Sequence, residues 1–222
     1  ARTVRRLHGP ALRGQEPTEA VAARRGGRRP GDVLSWASVR RRTAVEVSVL
    51  ALLGGAVLYV LFTFKIYRVP QEGMYPTVAA GEHVLARRRP YTTPADVARG
   101  DVIVFEADLD GERMELIWRV VGLPGEEIGI VDDVVVVDGE RFARTRLRAE
   151  GALAIYSERA GSGSYSVALP EPATDPDKAN MAPRKLGEAE FFVLGDNRHN
   201  AYDSRTTGPV PFAAIRARVV YP

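Results

Sequence analysis

The sequence contains no cysteine, and only three lysines and three histidines, among its 222 residues. Without cysteine, the chain has no disulfide framework, no Cys-ligated zinc and no thiol nucleophile. The histidines, His8, His83 and His199, are too scattered to suggest a metal site. The sequence also has no glycine-rich phosphate loop, no paired carboxylates at catalytic spacing and no internal repeat. We therefore expect neither a metal nor a cofactor.

Charge is distributed unevenly along the chain. Residues 1–42 hold eleven arginines and three acidic residues, a net charge of +8, which leaves −5 for residues 43–222 because the total is +3. Alanine, glycine and proline are abundant in this basic arm, and such composition is typical of disorder. The arm is either a solvated topology signal or a contact to anionic membrane lipid or to a membrane-protein partner. Nucleic acid is not an expected partner.

Residues 47–64 form an apolar run without a single charge. As a helix, eighteen residues span about 27 Å, close to the roughly 30 Å hydrocarbon core of a bilayer. We predict a transmembrane helix over residues 43–64. A buried core helix is the alternative, but core helices are rarely so uniformly apolar. A cleaved signal peptide would begin earlier and have a shorter apolar core, so we expect an uncleaved anchor.

The charges beside this run predict its orientation. Arg40, Arg41 and Arg42 precede it, whereas only Lys65 and Arg68 follow closely. Because positive residues favour the cytoplasmic side, residues 1–42 are predicted inside and residues 65–222 outside a bacterial inner membrane. The Gly54–Gly55 pair is either a notch for another helix or an ordinary feature of an apolar helix.

The remainder of the chain, residues 65–222, is mainly β in character. Short β-branched or aromatic runs are separated by glycine, proline and aspartate, as in strands joined by turns. The runs are residues 101–105, 116–121, 134–137 and 191–194. Asp138–Gly139 predicts a hairpin turn, and Leu123–Pro124–Gly125 a turn between strands. Residues 149–187 indicate an inserted loop or a small subdomain.

Four motifs carry a resemblance to a known family. They are Val-Pro-Gln-Glu-Gly-Met-Tyr-Pro-Thr at 69–77, Arg-Gly-Asp-Val-Ile-Val-Phe at 99–105, Trp-Arg-Val-Val-Gly-Leu-Pro-Gly-Glu at 118–126, and Gly-Asp-Asn-Arg-His-Asn-Ala-Tyr-Asp-Ser-Arg at 195–205. With Gly-Pro-Val-Pro at 208–211, they make residues 43–222 resemble bacterial type I signal peptidases, the S26 peptidases.

The resemblance implies a mainly β fold: a domain of two antiparallel sheets behind one N-terminal transmembrane helix. It also implies a groove that binds an extended peptide by strand addition, and a Ser/Lys dyad. In that chemistry a neutral lysine accepts the serine proton, and nearby donors stabilise the oxyanion.

The sequence departs from the family at the residues that carry this chemistry. By resemblance, Gly73 stands at the nucleophile position and Trp118 at the general-base position. Gln71 replaces a serine of the oxyanion hole, and Ala201 replaces the serine that orients the lysine. Loss of a nucleophile or a base costs on the order of 10⁴–10⁶ in rate. We therefore expect no intact catalytic residues.

The altered positions leave two interpretations of Trp118. Its ring either packs the former cleft shut or anchors a partner peptide. In the second case, the candidate peptide-binding residues are Gly73, Met74, Tyr75 and Trp118. The motif at 195–205 is predicted to be a scaffold in which charged side chains form hydrogen bonds. Its members are Gly195, Asp196, Asn197, Arg198, Asp203, Ser204 and Arg205.

Three hypotheses of function follow. The first is a pseudoenzyme, a single-pass membrane protein that acts as a binding or assembly subunit of a membrane complex. The second is an active signal peptidase whose catalytic groups have moved, for which the only lysines are Lys65, Lys178 and Lys185. The third is a purely structural subunit that uses only its helix and its basic arm.

Overall fold

The computed structural model describes residues 36–109, 111–161, 163–172 and 175–221. Most of the predicted basic arm, residues 1–35, lies outside the described residues. The first element is helix α1, Trp36–Thr63, which contains a candidate membrane span at Thr43–Thr63. The side chains of that span are not buried against the protein. The chain divides into two compact units between Val49 and Leu50, within this helix.

The regular structure in the rest of the described chain is mainly antiparallel strands, as expected. The strands are β1 (Phe64–Arg68), β2 (His83–Arg88), β3 (Val102–Leu109), β4 (Glu112–Gly122), β5 (Glu127–Val131), β6 (Val134–Val137), β7 (Glu140–Arg141), β8 (Ala143–Glu150), β9 (Leu153–Ala160), β10 (Gly163–Pro170), β11 (Met181–Lys185), β12 (Glu190–Leu194), β13 (Val210–Pro211) and β14 (Ile215–Tyr221). Two four-residue helices, α2 (Pro176–Ala179) and α3 (Ser204–Thr207), lie among them. The four predicted strands correspond to β3, β4, β6 and β12.

Within the described residues, the strands form three sheets where the resemblance implied two. A seven-stranded sheet has the order β1-β2-β14-β3-β4-β12-β13, and a four-stranded sheet has the order β11-β5-β6-β7. The third sheet, β10-β9-β8, falls mostly in the predicted insertion at 149–187 but begins earlier, at Ala143. Long β-hairpins therefore account for much of a segment whose composition indicated an inserted loop or a small subdomain.

The core lies on both faces of the central strands. Successive side chains of a strand point to opposite faces. Accordingly, Phe191 and Val193 of β12 pack into one apolar cluster, while Phe192 and Leu194 pack into another. Strand β4 contributes Trp118 to the first cluster. Trp118 therefore lies on the C-terminal half of β4, which is buried on both faces.

Both predicted turns are confirmed. Val137 pairs with Glu140, and the intervening Asp138 and Gly139 have φ values of 48° and 83°. Left-handed geometry at both central residues is the requirement of a tight two-residue hairpin. In the second turn, the Glu126 amide donates to the Leu123 carbonyl at 3.2 Å, and Gly125 has φ 79°.

Candidate functional site

The segment at the expected nucleophile position is a short 3₁₀ turn, Glu72–Met74, that follows β1. The Tyr75 amide donates to the Glu72 carbonyl at 3.0 Å and closes the turn. The Gly73 carbonyl accepts from the Asn197 amide at 3.0 Å. These backbone bonds fix Gly73 in a buried position against the 195–205 motif.

Trp118 reaches Gly73 from β4. It pairs with Ile103 of β3, and its side chain is 1% exposed, in the same cluster as Met74. A Cβ atom placed on Gly73 would lie 2.4 Å from Cη2 and 2.6 Å from Cζ3 of the indole. Carbon atoms do not approach so closely without displacement. The indole of Trp118 therefore occupies the space that any side chain at position 73 would need.

A second glycine completes this packing. A Cβ atom on Gly195 would lie 2.3 Å from the Ala201 Cβ, 2.6 Å from the Gly73 carbonyl oxygen and 3.1 Å from Cζ3 of Trp118. The structure thus brings together three of the four altered positions, Gly73, Trp118 and Ala201, around Gly195. The sequence assigned Gly195 to the scaffold, and nothing in the sequence indicated that it meets the indole.

The fourth altered position differs from the other three. Gln71 is exposed and lines a cavity of about 260 Å³ that reaches one side of Trp118. Met74 also lines this cavity. Tyr75 lies on a separate cavity of about 480 Å³ with Asn197 and His199, and its hydroxyl donates to Glu150. Three of the four candidate peptide-binding residues therefore divide between two cavities, and the fourth, Gly73, is buried and lines neither of them.

The packed cluster is apolar in its chemistry. In the described part of the chain, the buried Nε1 of Trp118 has no hydrogen-bond partner, so no acceptor lies beside the ring nitrogen. An indole donates a hydrogen bond but is not a useful proton acceptor. Glycine, tryptophan and alanine supply neither a nucleophile nor a base at these positions. Across the described residues, no group of three His, Asp or Glu side chains is placed to hold a metal ion.

Two of the three lysines are already engaged elsewhere. Lys65 Nζ donates to Glu115 Oε2 at 2.9 Å, and this hydrogen bond raises the pKa of Lys65 above its ordinary value. A general-base lysine requires the opposite shift. Lys178 Nζ donates to the His199 carbonyl at 2.7 Å. Lys185 is exposed on β11.

Beside the apolar cluster lies a buried ion pair between Arg119 and Asp196. The Arg119 Nε and Nη2 atoms donate to the two carboxylate oxygens at 2.8 and 2.6 Å. Arg119 also donates to the Gly100 carbonyl at 2.8 Å and to Thr77 Oγ1 at 3.1 Å. The bidentate pair therefore gives each oxygen of the buried Asp196 carboxylate a charged hydrogen-bond donor.

A second buried ion pair joins Arg198 to Glu158, a residue of β9 that is 0% exposed. The Tyr165 hydroxyl donates to the same carboxylate at 2.9 Å. Burial raises the pKa of Tyr165, because the phenolate would lose its hydration. The predicted charged bonds of Asp196 and Arg198 are therefore present, but both partners lie outside the motif. Arg119 and Glu158 carried no signal that identified them as those partners.

The end of the motif forms hydrogen bonds within the motif and to the neighbouring strand β12. Asp203 accepts from Arg205 at 2.8 and 2.7 Å and from the Gly195 amide at 3.0 Å. Ser204 Oγ accepts from the Val193 amide at 3.0 Å and is buried. Asp203 and Ser204 therefore accept hydrogen bonds from one neighbouring side chain and from two backbone amides of the fold.

One edge of β4 remains open beside the Gln71 cavity. Strand β4 pairs with β3 from Glu112 to Arg119, but with β12 only from Arg119 to Gly122. In the described residues, no strand therefore pairs with the second edge of β4 before Arg119. Met114 and Trp118 on this stretch line the cavity. A free edge next to a cavity is the arrangement that accepts an added strand.

Comparison with known proteins places these features in a family. Residues 41–222 match the family described as "Signal peptidase, peptidase S26". The chain is 30% identical over 173 residues to a signal peptidase I of Bacillus amyloliquefaciens, covering 78% of this chain and 77% of that protein. It is 29% identical over 174 residues to signal peptidase I S of Bacillus subtilis (strain 168), covering 78% of each chain.

The solved structures include a similar chain, a signal peptidase I of Enterococcus faecalis V583. Its identity is 22% and its TM-score 0.36, with 56% of this chain and 97% of that chain covered.

Proposed function

Because the chain belongs to the signal peptidase family, peptidase S26, we propose that it is a non-catalytic member that binds an extended peptide or a partner protein. The observation that carries the proposal is the overlap of the Trp118 indole with the space above Gly73. Neither a nucleophile nor a base stands at the dyad positions. The open edge of β4 and its cavity nevertheless remain available for binding.

Binding, rather than a purely structural role, is favoured by this open edge. Met114 is 46% exposed and lies on the cavity beside Gln71. An added strand would pair with the free backbone groups before Arg119, and its side chains would enter the cavity. In this role the protein is a binding or assembly subunit of a membrane complex.

The first experiment tests catalysis. The purified full chain is incubated in lipid vesicles with a preprotein and, separately, with a serine-reactive probe. We expect no cleavage above the vesicle blank and no labelled serine. Cleavage that is lost when one labelled serine is substituted would overturn the proposal and support relocated catalytic groups.

The second experiment separates binding from a structural role. A photo-crosslinking residue is placed at Met114 or, as the comparison, at Gly54 of the candidate span. Peptide binding predicts crosslinks from Met114 that are reduced by excess extended peptide. Crosslinks from Gly54 alone would favour the structural subunit.

We also infer that residues 65–222 lie outside the cytoplasmic membrane, because the flanking arginines favour that orientation. The chain has no cysteine, so a single introduced cysteine is a unique label. Leu147→Cys places it on an exposed residue of β8. Labelling of intact spheroplasts by an impermeant maleimide is expected, and labelling only after lysis would reverse the orientation.

A further inference from the structure

Three consecutive arginines, Arg87, Arg88 and Arg89, lie at the end of β2 next to the membrane helix. Helix α1 ends at Thr63 and β1 begins at Phe64, without a linker. Phe64 pairs with Arg87, and paired residues of antiparallel strands have Cα atoms about 5 Å apart. The backbone pairing alone therefore places this arginine cluster where the candidate span ends.

The cluster lines a cavity of about 580 Å³ together with Tyr59, Phe62 and Thr63 of the helix. The two aromatic side chains are 64% and 73% exposed. Aromatic residues with this exposure at the end of a span are typical of the headgroup level of a bilayer. The cavity is thus bounded by an interfacial helix end on one side and by cations on the other.

The arginine cluster has no internal counter-charge. Among the described residues, no carboxylate forms an ion pair with any of its three side chains, and all three are exposed. The neighbouring strand β14 differs, because its Arg216 pairs with Glu106 at 2.6 Å and its Arg218 lies 3.6 Å from Asp101. The uncompensated charge is therefore concentrated beside the helix end.

We propose that Arg87, Arg88 and Arg89, with Tyr59 and Phe62, form a binding site for the headgroup of an anionic phospholipid of the phosphatidylglycerol class. Guanidinium groups form bidentate hydrogen bonds with phosphate oxygens. Continuity with the candidate span selects a lipid over a soluble anion, because the acyl chains can lie along the exposed helix. The proposal depends on the helix lying in a bilayer, but not on its orientation or on the loss of proteolysis.

The test measures lipid affinity of the full chain by native mass spectrometry. Protein in detergent micelles is titrated with phosphatidylglycerol, phosphatidylcholine or soluble glycerol phosphate, and the apparent Kd of the first bound molecule is compared. Each arginine near an anionic lipid surface contributes about fivefold in affinity. We expect the triple variant R87Q/R88Q/R89Q to bind phosphatidylglycerol at least about tenfold more weakly, with little change for phosphatidylcholine.

A matched control removes the same charge elsewhere. Arg141, Arg159 and Arg184 are exposed on β7, β9 and β11, and the variant R141Q/R159Q/R184Q should keep the wild-type affinity. The variant R87K/R88K/R89K retains the charge and should retain most of the binding, with a moderate loss from the missing bidentate geometry.

Three results would overturn the proposal. They are an unchanged affinity in R87Q/R88Q/R89Q, an equal loss in the control variant, or binding of glycerol phosphate as tight as that of phosphatidylglycerol. The last result would assign the cluster to a soluble anion. If the triple variant were unstable, the single variants R87Q and R89Q would replace it, each with an expected loss of about fivefold.

Discussion

Two buried regions meet at Gly195, and they differ in chemistry. On one side, Gly73, Trp118 and Ala201 form an apolar cluster in close contact. On the other side, Asp196 and Arg198 belong to buried ion pairs with Arg119 and Glu158. The first region contains no ionisable or hydroxyl side chain, whereas in the second each buried carboxylate is paired with an arginine.

The difference shows what each region does for the fold. Buried charges must be paired and hydrogen-bonded, so removing one partner leaves an uncompensated charge. An apolar cluster carries no such constraint, because its side chains tolerate replacement by others of similar volume. A volume-conserving apolar replacement at Trp118 is therefore expected to be tolerated, whereas loss of the Arg198 guanidinium is expected to be strongly destabilising.

The largest expected effect is at the charged region. Arg198→Met leaves Glu158 buried without its partner and should lower the free energy of unfolding by about 3–5 kcal/mol. Denaturant unfolding of the full chain in detergent measures it. The matched control is Arg146→Met, which breaks the exposed pair with Glu171 and should change stability little. Equal losses in both variants would contradict the distinction.

A large effect is also expected at the apolar cluster. Trp118→Ala should cost about 3 kcal/mol, the lower end for large aromatic truncations, because the ring nitrogen has no hydrogen bond to lose. Tyr221→Ala, on a residue that is 69% exposed, is the control. If the unfolding curves of the two variants coincided, the indole would not be a packing element.

A smaller loss of stability is expected when a larger side chain is introduced at position 73. Gly73→Ser forces its Cβ into the indole and should destabilise the chain by about 1–3 kcal/mol, as overpacking does. Gly163→Ser is the control, because the nearest atom to its Cβ position lies 4.0 Å away. If Gly73→Ser left the free energy of unfolding unchanged, the Trp118 ring would have to move aside without cost.

The smallest effect concerns the exposed pair at acid pH. Hydrogen bonds from Arg146 and Tyr156 lower the pKa of Glu171 below its ordinary value. Because the folded pKa lies below the unfolded one, this stabilisation is present at neutral pH and is lost as the pH falls through the folded pKa. We therefore expect Arg146→Met to lose slightly less stability than the wild-type chain between pH 7 and pH 3, as measured by unfolding midpoints. A larger decrease of stability in the variant would contradict this expectation.

The sequence predicted much of this fold, because its β-branched runs, turn residues and apolar span are local signals. The strand at 116–121 and the turn at Asp138–Gly139 are examples. It did not predict the pairing of Arg198 with Glu158, because that contact joins distant segments of the chain. The hairpins of β8–β10 were predicted only as an inserted loop or a small subdomain, because glycine and proline are depleted in strands. The sequence singled out Gly73 and Trp118, but the close packing of the indole against Gly73 becomes evident only from coordinates.

The most direct test of the central claim is a double-mutant cycle between Gly73 and Trp118. The claim is that the indole has taken the space of a side chain at position 73. If so, Gly73→Ser should be destabilising in the wild-type chain and nearly neutral in the Trp118→Ala background, a coupling of about 1–3 kcal/mol in unfolding free energy. Additive effects of the two substitutions would contradict it.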